Sequence, residues 1–435
     1  MARKKQYVGS ILMISLHGYV AAEPELGKPD TGGQVVFVLE LAKRFSRLGY
    51  RVDIVTRRFG NQPELDKINE GLRVWRIPFG GKQFIRKEDM HGKLSDFITN
   101  FLAAVRTRQI KYDVVNSHYW DAGWAGQRIA EELNIPHIHT PHSLGVWKQQ
   151  GMERDIEAAE KTYRLEERIR KEFLIYRSCD HIIATTAEQL EQLQSQYDLS
   201  DKHITVIPPG VDETRFTPAR KLERKEIKER LSVQPNTIYA VGRMAANKGY
   251  DLLIRAFKTT GRLVPDAKLL LAAGGENSER DQEKVNELKE LAQSLDLYNN
   301  ITWAQYIPDE ELTNYYRAAD VYALSSRYEP FGMTAIESMA CGTPTIVTVH
   351  GGLHELIDYG TQALFADPYY PEEYGTMLAL PLRYPKLAEE LSNEGSRFAR
   401  RTFGWTGIAK HTLSIFGQYQ SRYVESGMEV ESYEI

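Results

Sequence analysis

From Ser10 to Asp367 the chain alternates short apolar runs with longer stretches whose apolar positions recur every three or four residues. In the first half the runs are SILMISL, RVDIVT, LRVWRI, YDVVNS, PHIHT, HIIATT and ITVIPP. In the second they are TIYAVG, KLLLAAG, ITWAQ, VYALSS, PTIVTV and ALFAD. Between most of them lie helix-period segments such as QVVFVLELAKRFSRLG. A strand that is apolar on both faces has to be covered on both, and helices linking successive strands do this in parallel α/β sheets. Two such sets of strands predict two Rossmann-like domains, and 435 residues exceed what one ordinary core holds. The turn-rich PPGVDETRFTPARK (208–221) marks the join, giving domains over 1–210 and 211–405. After about residue 371 the strands stop, and a last helix beginning near Trp405 is placed to return over 406–435 to the first domain. The tail ESGMEVESYEI reads as loosely held.

Composition narrows the function classes. A net charge of −4 gives no footprint for a nucleic-acid partner. No run reaches the ~18–20 apolar residues of a membrane span. The N-terminal MARKKQYVGSILMISLHGYVAA places basic residues before a short apolar run, a pattern that reads as a first strand and not an export signal. The two cysteines, Cys179 and Cys341, are far apart and lack metal spacing, which fits a reducing cytoplasm.

Ligands of open parallel sheets sit at the carboxyl ends of the strands, so chemistry is expected in the βα turns. These turns hold no G-x-G-x-x-G and no Walker-type motif, which argues against a dehydrogenase or a P-loop kinase. The first turn, HGYVAAEPELGKPDTGGQ, ends in Gly32-Gly33-Gln34 at a helix start, either a phosphate cradle or a plain glycine turn. The turn after TIYAVG, R-M-A-A-N-K-G, sets Arg243 and Lys248 five apart, either as a diphosphate grip or as solvated surface. His137, His139 and His142 in HIHTPHSLG resemble a metal cluster but lack a further ligand at the usual spacing. His142, beyond the strand's end and facing a substrate, is the better reading. RYEPFGMTAIESMACGTP puts Glu329 on a loop and Glu337 inside the helix that follows. Glycoside hydrolysis needs two carboxylates ~5–9.5 Å apart across a bond. Two residues flanking one helix start suit a different task, accepting bonds from sugar hydroxyls beside a phosphate.

Together HGYVAAEPELGKPDTGGQVVFVLELA, PHSLGVWK, VIPPGVDETRF, GRMAANKGYDLLIRAF and EPFGMTAIESMACGTP resemble the sucrose-synthase and sucrose-phosphate-synthase group of retaining glycosyltransferases. The resemblance implies the α/β GT-B fold, two Rossmann-like domains facing across a nucleotide-sugar cleft, with no metal or other cofactor. It implies that Arg243 and Lys248 hold the donor diphosphate and Glu337 the ribose. Glu329, with the backbone of Phe331, Gly332 and Met333, would hold the transferred hexose. His142 would lie against that hexose, and Gly33 with Gln34 would close its other side. For the acceptor, IPFGGKQFIRKED supplies Lys87, HSLGVWK supplies Lys148, and TYRLEERIRKEF supplies Arg168, with Tyr119 in the same phosphate pocket. Glu167 stands where this branch carries the first of two arginines, for which Arg164 or Arg170 would compensate. The reading implied is glucose transfer from a nucleoside-diphosphate glucose, UDP-glucose first, to fructose 6-phosphate, with a separate phosphatase acting on the sucrose 6-phosphate formed. The related mannosylfructose-phosphate synthases, using GDP-mannose, sucrose synthase, using free fructose, and a GT-B epimerase remain as alternatives.

Overall fold

A computed structural model of the chain describes residues 7–23, 33–150, 163–199, 203–274, 279–304, 306–329 and 331–431. The chain divides into two compact units, one of Met1–Pro208 with Ile408–Ile435 and one of Pro209–Gly407.

The first unit is built on eight strands: β1 (Ser10–Ile14), β2 (Arg51–Arg58), β3 (Leu65–Asn69), β4 (Leu72–Pro78), β5 (Val114–His118), β6 (His137–Thr140), β7 (His181–Ala184) and β8 (Ile204–Val206). Their order across the sheet is β3-β4-β2-β1-β5-β6-β7-β8. All neighbours pair in parallel except β3, which runs antiparallel to β4 at the edge. The expectation of a wholly parallel sheet missed this strand because LDKIN is short, half polar and exposed or half-exposed along its length. An edge strand covered on neither face has no need of a continuous apolar run. Leu12, Ile14, Trp75, Phe97, Phe101 and Val115 belong to the core between this sheet and its helices. From the C-terminal helix Trp405–Glu431, Phe416 packs on Phe45 at 5.6 Å and the Tyr419 hydroxyl meets His181 Nδ1 at 3.1 Å. The helix includes much of the segment read as a loose tail, and residues 432–435 lie outside the described residues.

The second unit carries β9 (Thr237–Gly242), β10 (Lys268–Ala273), β11 (Ile301–Ala304), β12 (Val321–Ala323), β13 (Thr345–Thr348) and β14 (Leu364–Ala366). They pair in parallel in the order β11-β10-β9-β12-β13-β14. In both sheets the strand order reverses beside the first strand, at β1 against β5 and at β9 against β12. Such a switch point opens a crevice beyond the carboxyl ends of the two strands, where a ligand can enter.

Candidate active site

In the first unit the switch point is lined by a chain of neutral histidines. Asn116 donates through Nδ2 to the Ile138 carbonyl, so its Oδ1 accepts from His118 Nε2 at 2.9 Å. His118 Nδ1 then accepts, and His142 Nε2 donates to it at 3.0 Å. Burial pushes both imidazoles down, His142 to about 3, so neither is charged near neutral pH. The chain fixes the tautomer: Nδ1 of His142 is left as an acceptor, able to receive a sugar hydroxyl. The backbone of His142 is left-handed, φ +60°, and Phe37 packs edge-on against its ring at 4.9 Å. His137 and His139 point elsewhere and share the Ser117 hydroxyl, at 2.6 and 2.8 Å. No metal-binding cluster occurs among the described residues.

Gly33 begins the helix Gly33–Arg47, while Gly32 and the rest of 24–32 lie outside the described residues. The Gln34 amide spans the crevice floor, donating to Ser15 Oγ and to the His118 carbonyl, both at 3.3 Å. Beside it His17 Nδ1 lies 2.9 Å from Asp121 Oδ2, both buried, and His17 packs edge-on against Tyr119 at 4.6 Å. Sequence reading passed over this pair, because its members are 104 residues apart and no spacing announces them.

Arg168 is not placed as a solvent-facing phosphate ligand. It is 3 % exposed, and all three of its nitrogens are engaged. Nε donates to Glu172 at 2.7 Å, Nη1 to the Tyr119 hydroxyl at 2.7 Å, and Nη2 to the carbonyl and hydroxyl of Ser143 at 2.8 and 3.0 Å. Glu172 also accepts from Tyr197 and, at 2.9 Å, from the Gly145 N–H. The network therefore grips Ser143 and Gly145, between which the loop from His142 enters the helix Gly145–Gln150. That short helix carries Lys148, whose Nζ sits 3.8 Å from the centre of the Tyr163 ring. Lys87 pairs with Glu88 at 3.4 Å and acts electrostatically on Tyr119, whose hydroxyl burial holds above its ordinary pKa. Glu167 is neutralised locally by Arg164 and by Lys171, the latter at 3.2 Å. Lys171 also reaches His91 Nδ1 at 3.0 Å. Its signal was available in the sequence: a lysine four residues after a glutamate on one helix face.

In the second unit the switch point lies at the end of β9. Arg243 follows Gly242 and is exposed, and its side chain makes no hydrogen bond or ion pair among the described residues. Lys248 ends a single 3₁₀ turn, Ala246–Lys248, and Gly249 (φ +63°) turns the chain into the helix Tyr250–Leu263. Only glycine fits there, because a Cβ would lie 2.2 Å from the Ser325 carbonyl oxygen. The loop is stapled to 325–329 through Arg327, which donates to the Ala246 carbonyl at 2.9 Å and to both Asp251 oxygens at 2.8 and 2.6 Å. This stapling brings Lys248 Nζ to 2.5 Å from Glu329 Oε2, which also accepts from Ser326 at 3.0 Å. The resemblance implies separate tasks for Lys248 and Glu329, and the fold makes them an ion pair. Gly332 (φ +87°) leads into the helix Met333–Ala340. Phe331 is buried against Phe403 at 5.5 Å, which leaves backbone, not side chain, for a ligand there. Pro330 lies outside the described residues. Glu337 Oε2 accepts from the Tyr316 hydroxyl at 2.9 Å, and burial pushes its carboxyl up to about 7.

Comparison with known proteins gives this arrangement its context. The family model for glycosyl transferases group 1 matches residues 223–398, and that for glycosyltransferase family 4 matches residues 31–215. The chain is 51% identical over 410 residues to a mannosylfructose-phosphate synthase of Agrobacterium fabrum, covering 93% of this chain and 90% of the relative. It is 33% identical to a D-inositol 3-phosphate glycosyltransferase of Thermobifida fusca, over 90% of this chain and 89% of that one. Among solved structures, a sucrose-phosphate synthase from Thermosynechococcus elongatus superposes with a TM-score of 0.78 at 28% identity, covering 94% of this chain and 98% of the other. The relative at 51% bears the name of the mannosyl branch, so these likenesses favour that alternative over the sucrose-phosphate reading. Among the described residues no helix is long and apolar enough to cross a membrane.

Proposed function

The chain belongs to the group 1 glycosyltransferases and has their GT-B fold, and from that membership we propose that it is a retaining mannosyltransferase, moving mannose from GDP-mannose to fructose 6-phosphate. One observation carries the donor side of this reading: exposed Arg243 and half-buried Lys248 lie on the loop that follows β9, where a helix begins. Two cations and a helix N-terminus suit a diphosphate whose charge grows as the glycosidic bond breaks. Glu329 and His142 Nδ1 are acceptors for hexose hydroxyls, Gln34 supplies an amide, and Glu337 accepts from the ribose. No side chain attacks the sugar. The departing phosphate oxygen takes the proton of the acceptor hydroxyl as that hydroxyl bonds to the anomeric carbon on the same face. Lys87 and Lys148 hold the acceptor's phosphate, while Tyr119 and Arg168 keep that pocket in shape. The choice of mannose rests on the relative at 51% identity. Glucose transfer to the same acceptor is the second reading, supported by the structural likeness at TM-score 0.78.

The test is a panel of GDP-mannose, UDP-glucose, ADP-glucose and GDP-glucose, each with fructose 6-phosphate, with fructose and with no acceptor, all in excess chelator. Mannosylfructose phosphate from GDP-mannose alone is the expected product. Sucrose 6-phosphate from a glucose donor would replace mannose with glucose. Donor conversion without acceptor would make the chain an epimerase or hydrolase, and silence until a divalent metal is restored would remove the metal-free chemistry.

A further inference from the structure

Tyr250 is the first residue of the helix that follows Lys248, and its ring turns back toward β9. The side chain is 5 % exposed, and its hydroxyl is buried with no hydrogen-bond partner among the described residues. A methyl group added at Gly242 would lie 2.7 Å from that hydroxyl oxygen and 3.7 Å from Lys248 Cε, so the hydroxyl and the lysine stem both face Gly242. Burial raises its pKa, Glu329 raises it further and Arg243 lowers it, which places it in the fields of both charges. A buried hydroxyl without a partner is costly, and one that lies next to a ligand site can gain a partner when the site fills.

Lys248 is the cation of Glu329 in this structure. If it turns to a diphosphate, as proposed above, the mostly buried carboxylate keeps, among the described residues, only the Ser326 hydroxyl. We propose that Tyr250 is a positioning residue for donor binding, its hydroxyl donating to Glu329 when Lys248 leaves for the diphosphate. Lys248 and Tyr250 are then alternative donors to one carboxylate, exchanged by ligand. The inference rests on the donor reading and extends it to a residue that the motif comparison did not mark.

The test uses Tyr250→Phe in the full chain, with GDP and UDP as calorimetric probes and thermal unfolding of the free protein as control. Loss of an unpartnered hydroxyl should leave Tm unchanged or higher, while nucleoside-diphosphate binding weakens roughly ten- to a hundredfold, as for a hydrogen bond to a charged group. In a Lys248→Met background Glu329 already depends on Tyr250, so Tyr250→Phe there should lower Tm and weaken binding no further. Unchanged affinity in Tyr250→Phe, with the parent binding normally, overturns this inference alone. A lower Tm in the parent background makes the hydroxyl structural and overturns it too. A parent chain that binds neither GDP nor UDP removes the donor reading itself.

Discussion

Arg168 and Arg243 look alike in the sequence, each a cation in a motif of the same resemblance, and the two units use them in opposite ways. Arg168 is buried, bonded at every nitrogen, and holds the loop that presents His142 and Lys148. Arg243 is exposed, with its fork unoccupied by any described residue. A guanidinium that already satisfies Glu172, Tyr119 and Ser143 gains little from a ligand, and withdrawing it would strand a buried carboxylate. One that donates to no described residue can answer charge as it develops. The lesson is that a charged residue's partners in the fold, more than its place in a motif, decide between shaping a site and acting in it.

The contrast is sharpest for Arg168→Ala. Removing it leaves Glu172 buried with its hydrogen-bond donors but no cation, which should cost ~3–5 kcal/mol of stability. The measurement is denaturant unfolding; a loss below about 1 kcal/mol, with acceptor KM raised instead, would make Arg168 a ligand after all. Next in size are Arg243→Ala and Lys248→Ala. Each should lower kcat by ~10²–10³, and Arg243→Ala, which breaks no ion pair, should leave the unfolding midpoint of the second unit nearly in place. Near-normal turnover in either folded variant would break the comparison from the donor side. Lys148→Ala should raise the KM for fructose 6-phosphate about ten- to a hundredfold and leave the donor KM alone. Equal losses with fructose and its phosphate would show a structural lysine.

The smallest effect concerns pH. Glu337 has a folded pKa near 7 against an ordinary value of about 4.3, so between these values the native chain binds more protons than the unfolded one. Its contribution to stability is thus complete below the ordinary carboxylate range and is lost as pH rises through about 7. If Glu337 accepts from the donor's ribose as proposed, donor affinity should move the other way, because the carboxylate is the better acceptor. From about pH 5 to about pH 8, Glu337→Gln should flatten both trends by a few fold in affinity. Parallel profiles for parent and variant would take Glu337 out of the donor site.

Most strands were legible because they are apolar runs, the central ones buried on both faces, and the C-terminal helix declared itself at Trp405. The antiparallel edge strand β3 was not, since exposure leaves no pattern to read. Motif spacing brought out Arg243, Lys248, Glu329 and Glu337, because βα turns place such residues at strand ends whatever the rest of the chain does. By itself, then, the sequence determined the two doubly wound sheets and which turns carry polar chemistry, both consequences of local periodicity. Tertiary structure alone decided that Lys248 is clamped to Glu329, that Arg168 is consumed by Glu172, Tyr119 and Ser143, that Asp121 holds His17, and that the Tyr250 hydroxyl is left without a partner among the described residues. Each depends on side chains brought together across tens to hundreds of residues, or on how one helix face is buried, and neither follows from the order of residues along a strand or a turn.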